Sequence, residues 1–264
     1  MRTRILAGFL FFSASLFAQP GQVTLTILTD NTLDDPAGRT EWGFSCLVDL
    51  PRTAVLFDAG MTGETFDHNV QALGADLSRV EYALFSHDHA DHTGGVRGEV
   101  FKGKGVTVHI GSSFSDATEK MLASTGATVL RNEKPVELLP GVWATGEVAG
   151  PVTEQSLVIS TDKGLVVITG CSHPGVIDIL ERAKEVAPGE IYMVLGGFHW
   201  LQKGGAEVRA MIDRMKELGV KKCGATHCSG EMAIGMVREA YGDDFVEMGV
   251  GRTISLSVTH LYEE

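Results

Sequence analysis

The densest cluster of metal-binding side chains in the sequence is the heptapeptide SHDHADH at residues 86–92. It follows an apolar run and precedes a Thr-Gly-Gly turn, so it begins where a buried strand is expected to end. Residues two apart in an extended segment point the same way, and His87 and His89 can therefore bind one ion from one side. If the chain then turns, Asp91 and His92 face a second position nearby, which a carboxylate and an imidazole both suit.

The donor types in this heptapeptide indicate which ions it would bind. Imidazole nitrogen favours zinc, although manganese or iron would accept the same set of donors. A solvated histidine-rich loop without metal is the alternative interpretation. A metal-free loop, however, has no reason to place imidazoles at this spacing directly after a strand. The sequence therefore predicts two divalent metal ions, with zinc as the default.

The pattern His-x-His-x-Asp-His at residues 87–92 resembles the signature of the metallo-β-lactamase fold superfamily. The resemblance implies an α/β fold built as a four-layer αββα sandwich, with a dinuclear centre that activates water. It also implies that the second metal takes Asp91, His92 and a final histidine, which by order is His227. Asp58, at the end of an early apolar run, matches the aspartate that holds the metal loop by hydrogen bonds.

The sequence departs from the superfamily pattern at the middle of the chain. No histidine occupies the expected position near residues 145–151. Either His173 completes the first metal site, or an acid such as Glu147 or Glu154 does. Cys171 stands where the bridging aspartate usually lies, and a thiolate there can replace it as a ligand to the second metal.

Most histidines lie just past apolar, strand-like runs, at positions 87, 89, 92, 173, 199 and 227. In open α/β sheets, pockets form beyond the strand ends, so histidines that are far apart in sequence can converge there. We interpret His199 as a substrate or proton-transfer residue that acts with Asp91 in catalysis, or as a ligand if His173 is not one.

Three short motifs narrow the resemblance: Gly-Cys-Ser-His-Pro-Gly at 170–175, Gly-Gly-Phe-His at 196–199 and Thr-His-Cys-Ser-Gly at 226–230. Together they are similar to the branch that includes the dihydropterin ribofuranosyl-aminobenzene phosphate synthases, over residues 22–258. The first hypothesis is an exported metal-dependent hydrolase of a small-molecule ester, phosphoester, lactone or amide. The alternatives are a synthase-like transferase and a non-catalytic metal or ligand binder.

Composition and the N-terminal segment bound the remaining possibilities. Residues 1–18 carry two arginines before an apolar run and predict a signal peptide, which implies export and no stable membrane span after processing. The 264-residue length and 44% hydrophobic content suit one domain over residues 19–264. The net charge of −12 argues against nucleic acid as a partner. Four cysteines leave disulfide pairing open.

Alternating and helical hydrophobic patterns predict the main elements. The expected strands include 22–29, a hairpin of 43–48 with 54–57, and a hairpin of 156–160 with 165–169. The expected helices include 63–73, 176–186, 206–218 and 230–240.

Overall fold

A computed structural model describes residues 21–258 of the chain. The predicted signal peptide at residues 1–18 lies outside the described residues. No helix within residues 21–258 combines the length and apolar character that crossing a bilayer requires.

Thirteen strands and six α-helices follow one another along the described chain. The strands are β1 (Gly21–Thr29), β2 (Ser45–Asp49), β3 (Ala54–Phe57), β4 (Val80–Leu84), β5 (Thr107–Ile110), β6 (Thr128–Arg131), β7 (Val136–Leu139), β8 (Val142–Ala144), β9 (Leu157–Thr161), β10 (Gly164–Thr169), β11 (Ile191–Gly197), β12 (Lys222–Thr226) and β13 (Thr253–Val258). The helices are α1 (Gly63–Ala72), α2 (Ala90–Thr93), α3 (Asp116–Ala123), α4 (Val176–Val186), α5 (Gly205–Glu217) and α6 (Glu231–Tyr241).

The strands form two mixed sheets. The seven-stranded sheet has the order β13-β1-β2-β3-β4-β5-β6, and the six-stranded sheet has the order β12-β11-β10-β9-β8-β7. In the first sheet, β3, β4, β5 and β6 run parallel. In the second sheet, β10, β11 and β12 run parallel. Parallel neighbours place the carboxyl ends of their strands along one edge of the sheet, where pockets form.

Three apolar clusters hold the layers together. One cluster lies between the sheets and includes alternate residues of β1, namely Val23, Leu25 and Ile27. A second packs the six-stranded sheet against α4, α5 and α6. A third packs the seven-stranded sheet against residues that include Phe66 of α1 and Leu122 of α3. Each sheet is therefore covered by its partner on one face and by helices on the other, and the prediction of a four-layer αββα sandwich is confirmed.

The hydrophobic patterns located most elements correctly. The strand predicted at 22–29 is β1, and the two predicted hairpins are the antiparallel pairs β2–β3 and β9–β10. The start of the first hairpin was predicted two residues early, because Gly43 is not part of β2. Gly43 belongs to the preceding loop, where its φ is 151° and where a Cβ would lie 2.5 Å from the Asp91 carbonyl oxygen.

Candidate metal centre

The heptapeptide at residues 86–92 leaves β4 and folds directly into α2. Helix α2 is a single turn, and the Thr93 hydroxyl closes it by donating to the His89 carbonyl oxygen at 3.1 Å. The glycines that follow are packed tightly against the loop after β3. A Cβ on Gly95 would lie 1.8 Å from the Ala59 carbonyl oxygen, and one on Gly94 would lie 1.9 Å from that of Met61. Only glycine fits at these positions, so the loop is fixed against β3.

The first donor group consists of His87, His89 and His173. Their nearest ring nitrogens lie within 4.8 Å of one another, and His87 Nε2 is 3.0 Å from His89 Nδ1. His87 is fully buried, whereas His89 is exposed. His173 reaches this group from the loop after β10. The structure thus groups His173 with the two early histidines, whereas Glu154 lies 3.8 Å from His87 Nδ1 and outside this group.

The second donor group consists of Asp91, His92, Cys171 and His227. One donor atom from each lies within 4.8 Å of the others. His92 Nε2 is 3.2 Å from the Cys171 sulfur, and Asp91 Oδ2 is 3.4 Å from His227 Nε2. These four residues come from α2, from the loop after β10 and from the end of β12. The two groups adjoin, since the His87 and His92 ring centroids are 4.3 Å apart.

Asp58 links the two groups from behind. Its Oδ2 accepts hydrogen bonds from His92 Nδ1 and from the Ser86 hydroxyl, both at 2.7 Å, and its Oδ1 accepts from the Ser86 amide. The Ser86 oxygen in turn accepts from His87 Nδ1 at 2.9 Å. Both rings therefore direct Nε2 at the other donors, an arrangement typical of metal-ligating histidines. The sequence predicted this position for Asp58.

Glu154 supports the loop after β10 instead of joining either group. This buried carboxylate accepts from the amides of Cys171, Ser172 and His173, and from His173 Nδ1 at 3.1 Å. Burial raises the pKa of Glu154, but the hydrogen bonds from His173 and these amides outweigh burial and lower the pKa to about 2. The ionised Glu154 orients His173 so that its Nε2 points away from the loop.

His227 carries the clearest sign that the centre is built for a cation. Asn31 Oδ1 accepts from His227 Nδ1 at 3.0 Å, which leaves Nε2 facing Asp91. Among the described residues, this buried Nε2 has no hydrogen-bond partner. An unpaired buried nitrogen costs free energy unless something binds it. A lone pair aimed at three other donors suits a metal ion, so the residues present fit the metal that the sequence predicts.

The protonation states of His87, His92 and Asp91 also favour cation binding. Burial lowers the pKa of His87 to about 3 and that of His92 to about 4, and in each case a neighbouring histidine adds to the effect. Burial raises the pKa of Asp91, but the nearby rings of His227 and His92 outweigh burial and hold that pKa well below its usual value. At neutral pH, His87 and His92 are therefore uncharged and Asp91 is ionised, as ligation requires.

The strand exits around the centre hold unusual backbone. Four non-glycine residues have left-handed φ angles, namely Asp58 at 53°, Ser172 at 60°, His199 at 53° and His227 at 51°. They follow β3, β10, β11 and β12: the last three strands lead to donors, and β3 leads to Asp58 behind the donor groups. Such conformations cost about 1–3 kcal/mol each and cluster at functional sites. Here they direct side chains from four separate strands toward one place.

Two cavities open beside the donor groups, and their common boundary is apolar. One, of about 510 Å³, is lined by His227 and Met232, and the other, of about 540 Å³, by His173 and His199. Both are bounded by Trp42, Trp200 and Leu201. Trp42 is 45% exposed, and its ring centroid is 4.8 Å from that of His227. A bound molecule would therefore meet aromatic surface directly beside the donors.

The structure does not bring every candidate residue to the centre. The Glu147 carboxylate accepts from the Ser112 hydroxyl at 2.8 Å and from the Ser113 amide at 2.9 Å, and Glu147 belongs to none of the donor groups. The interpretation of Glu147 as a ligand is therefore corrected, because these serines occupy its carboxylate. His199 lies at the cavity wall, with its ring centroid 4.5 Å from that of His173.

Three residues at the centre were missed by sequence reasoning. Asn31 holds His227, Trp42 packs beside the same ring, and Cys228 lies close to Cys171 and His199. Asn31 lies two residues after the strand predicted at 22–29, so the rule that pockets form at strand ends could have identified it. Trp42 carries no comparable signal, because it lies in a long loop.

The fold and the three clusters of histidine, cysteine and carboxylate donors define the class to which this chain belongs, an αββα protein of a metal-dependent family. The sequence profile of the metallo-beta-lactamase superfamily matches residues 43–173. The chain belongs to the metallo-beta-lactamase superfamily.

Named relatives cover most of the chain. The chain is 28% identical over 264 residues to a 7,8-dihydropterin-6-methyl-4-(beta-D-ribofuranosyl)-aminobenzene-5'-phosphate synthase of Methanocaldococcus jannaschii. The matched region covers 81% of this chain and 90% of the synthase. The crystal structure of Tm1679, a metal-dependent hydrolase of the beta-lactamase superfamily, matches with a TM-score of 0.74 and 27% identity over 89% of this chain and 99% of Tm1679. The metallo-beta-lactamase fold protein YhfI from Bacillus subtilis matches with a TM-score of 0.60 at 13% identity, over 89% of this chain and 99% of YhfI.

Proposed function

We propose that this chain is a metal-dependent hydrolase that binds two divalent ions, zinc by default. The observation that carries the proposal is the pair of adjoining donor groups, in which three buried rings are tethered through Nδ1 and direct Nε2 at the other donors. Divalent cations held there supply Lewis acidity and lower the pKa of water toward neutrality. A purely structural site would have no need of the adjoining open cavities.

Asp91 is the side chain best placed to orient a water molecule at the centre. Its carboxylate lies 3.7 Å from His92 Nε2 and 3.4 Å from His227 Nε2, and it remains partly exposed toward the centre. An ionised carboxylate at this position can orient a water molecule by accepting a hydrogen bond from it. Asp58 and Glu154 keep the surrounding rings in place while this happens.

The cavity walls favour a substrate with an apolar group and little charge. Leu201 is 60% exposed and Met232 is 50% exposed, and both line the cavities beside Trp42. Among the described residues that line the two cavities, apart from histidine, Lys203 is the basic side chain, and Glu207 lies 3.7 Å from its ammonium group. A polyphosphate would find few cations here beyond the metal. We therefore favour a carboxylic ester, lactone or amide over a phosphoester.

A substrate panel with paired variants tests the proposal. Zinc-loaded protein is assayed on 4-nitrophenyl acetate and butyrate, on aliphatic lactones and on bis(4-nitrophenyl) phosphate. Asp91→Asn should lower kcat/KM roughly 100-fold or more on whichever substrate wild type cleaves. Asp88→Asn is the matched control, because Asp88 accepts from the Ser115 amide and lies in none of the donor groups. Equal activity of Asp91→Asn and wild type would refute the proposal.

A synthase-like transferase is the second candidate, because of the 28% identity to the archaeal synthase. It would join a pterin pyrophosphate to an aryl amine. The test is to incubate the metal-loaded protein with both partners and to follow release of pyrophosphate together with the condensed product by mass spectrometry. Product formation in the absence of ester or lactone hydrolysis would favour the transferase.

Export is part of the hydrolase proposal and rests on the sequence of residues 1–18. Secretion would separate this chain from cytoplasmic pterin intermediates and would favour a periplasmic or extracellular substrate. N-terminal sequencing of the protein from its native cells tests this directly. A mature N-terminus at Gln19 is expected, and an intact Met1 in the cytoplasmic fraction would contradict export.

A further inference from the structure

Three side chains form a donor group that the proposed dinuclear centre does not use in full. Cys171, His199 and Cys228 each leave a different strand, namely β10, β11 and β12, which lie side by side in the six-stranded sheet. One donor atom from each lies within 4.8 Å of the others. Zinc–sulfur and zinc–nitrogen bonds are about 2.3 and 2.0 Å long, so one zinc ion can contact two donor atoms that lie up to about 4.6 Å apart.

The fold fixes the two sulfurs in this group without joining them. All four cysteines are free and buried, and the Cys228 thiol donates to the Cys171 carbonyl oxygen at 3.6 Å. Gly197 of β11 leaves room for Cys228, because a Cβ at that position would lie 2.7 Å from the Cys228 sulfur. The thiols are thus held beside each other by packing and backbone geometry.

His199 completes the group from the solvent side. Its left-handed φ of 53° turns the chain after β11, and the Ser229 hydroxyl next to Cys228 accepts from the amide of Phe198 at 3.0 Å. His199 and Cys228 both line the 540 Å³ cavity. An ion bound to the three residues would therefore have an open coordination position that faces the cavity.

We infer that Cys171, His199 and Cys228 form a third metal site, which takes a thiophilic cation such as zinc or cadmium. Two sulfurs and one imidazole are soft donors that favour such ions over magnesium or calcium. Binding would release the thiol protons to solvent, and Cys171 would be shared with the second donor group. With the ion bound, His199 acts as a ligand, which would replace the proton-transfer role that the sequence suggested.

Cadmium binding tests the inference independently of any enzymatic activity. Reduced full-length protein is titrated with Cd²⁺ while the sulfur-to-cadmium charge-transfer absorbance is followed, and bound metal is counted by elemental analysis after gel filtration. Thiol titration of the unfolded protein first verifies that four thiols are present. Wild type should show charge-transfer intensity from two thiolates, and Cys228→Ala about half of that intensity.

Cys223→Ala is the matched control, because Cys223 is another buried cysteine that lies on β12 but in none of the donor groups. Cys228→Ala and His199→Ala should each bind one cadmium fewer per chain than Cys223→Ala. Equal metal content in all three variants would overturn the third site. His199 is exposed, so His199→Ala keeps the test valid if Cys228→Ala misfolds. A deficit that appears only in Asp91→Asn would concern the dinuclear centre instead.

Discussion

Asp58 illustrates how one residue outside the donor groups can control them. It lines neither of the two cavities beside the centre, yet it accepts hydrogen bonds from both Ser86 and His92 and so orients two rings. Burial raises its pKa to about 8, although the nearby His87 opposes this effect. A metal bound to those rings would add positive charge and favour the ionised carboxylate. We therefore regard Asp58 as a positioning residue for the centre.

Replacement of Asp58 tests this role. Asp58→Asn preserves the shape of the side chain but removes the negative charge of the carboxylate that accepts from His92 Nδ1. Zinc affinity should therefore fall roughly 10- to 100-fold. Competition with a chromogenic chelator measures the affinity. Asp76→Asn is the control, because Asp76 is exposed and caps a surface turn by accepting from the Ser78 amide. Identical zinc affinity in both variants would show that Asp58 does not support the metal.

Trp42 should determine which acyl chain length the site prefers in an ester substrate. Its exposed ring stands beside His227, so Trp42→Ala should lower kcat/KM for a 4-nitrophenyl butyrate substrate more than for the acetate. The ratio of the two constants is the measured quantity. Leu130→Ala serves as the comparison, because Leu130 is 42% exposed on β6 and lines neither cavity. An unchanged ratio in Trp42→Ala would contradict the apolar substrate site.

At the scale of elements, the turn that follows α2 depends on close packing against the end of β3. Gly95→Ala would force a Cβ to 1.8 Å from the Ala59 carbonyl oxygen, and it should lower the free energy of unfolding by roughly 1–3 kcal/mol. Gly235 offers a matched position, since a Cβ there meets no atom within 4 Å inside helix α6. Gly235→Ala should stabilise the protein by roughly 0.5–1 kcal/mol.

Urea unfolding followed by circular dichroism measures both changes. Metal affinity should fall in Gly95→Ala and remain unchanged in Gly235→Ala, because only the first substitution displaces the loop that carries His92 and Asp91. A stable Gly95→Ala protein with normal zinc affinity would contradict the close packing described here.

The elements also show what the sequence could and could not predict. The spacing within 87–92 is local, so His87, His89 and Asp91 could be placed together from the pattern alone. His173 remained one of several alternatives, because its position depends on how β10 pairs with β9 and β11. Asn31 and Cys228 escaped notice for the same reason. Which strand ends meet is decided by sheet order, and no local pattern in this chain encodes that order.

At the scale of the whole molecule, the centre lies outside the apolar clusters that hold the layers together. Apolar side chains from both sheets and from the helices build these three clusters, so the fold should persist without metal. Ligands that bind only the folded state raise its stability, by about 4 kcal/mol when the free ligand is at 1,000 times its Kd. Chelation should therefore lower Tm and leave the circular dichroism spectrum at 25 °C unchanged. Complete unfolding on chelation would show that the metal is needed to form the core.

Anomalous diffraction from crystals grown with zinc is the sharpest test of a dinuclear centre, because it locates each ion without reference to activity. We expect one peak among the donor atoms of His87, His89 and His173, and a second among those of Asp91, His92, Cys171 and His227. A peak beside Cys228 bears on the third site alone. Full zinc loading in solution with the anomalous peak missing from one or both of the first two groups would contradict a dinuclear centre.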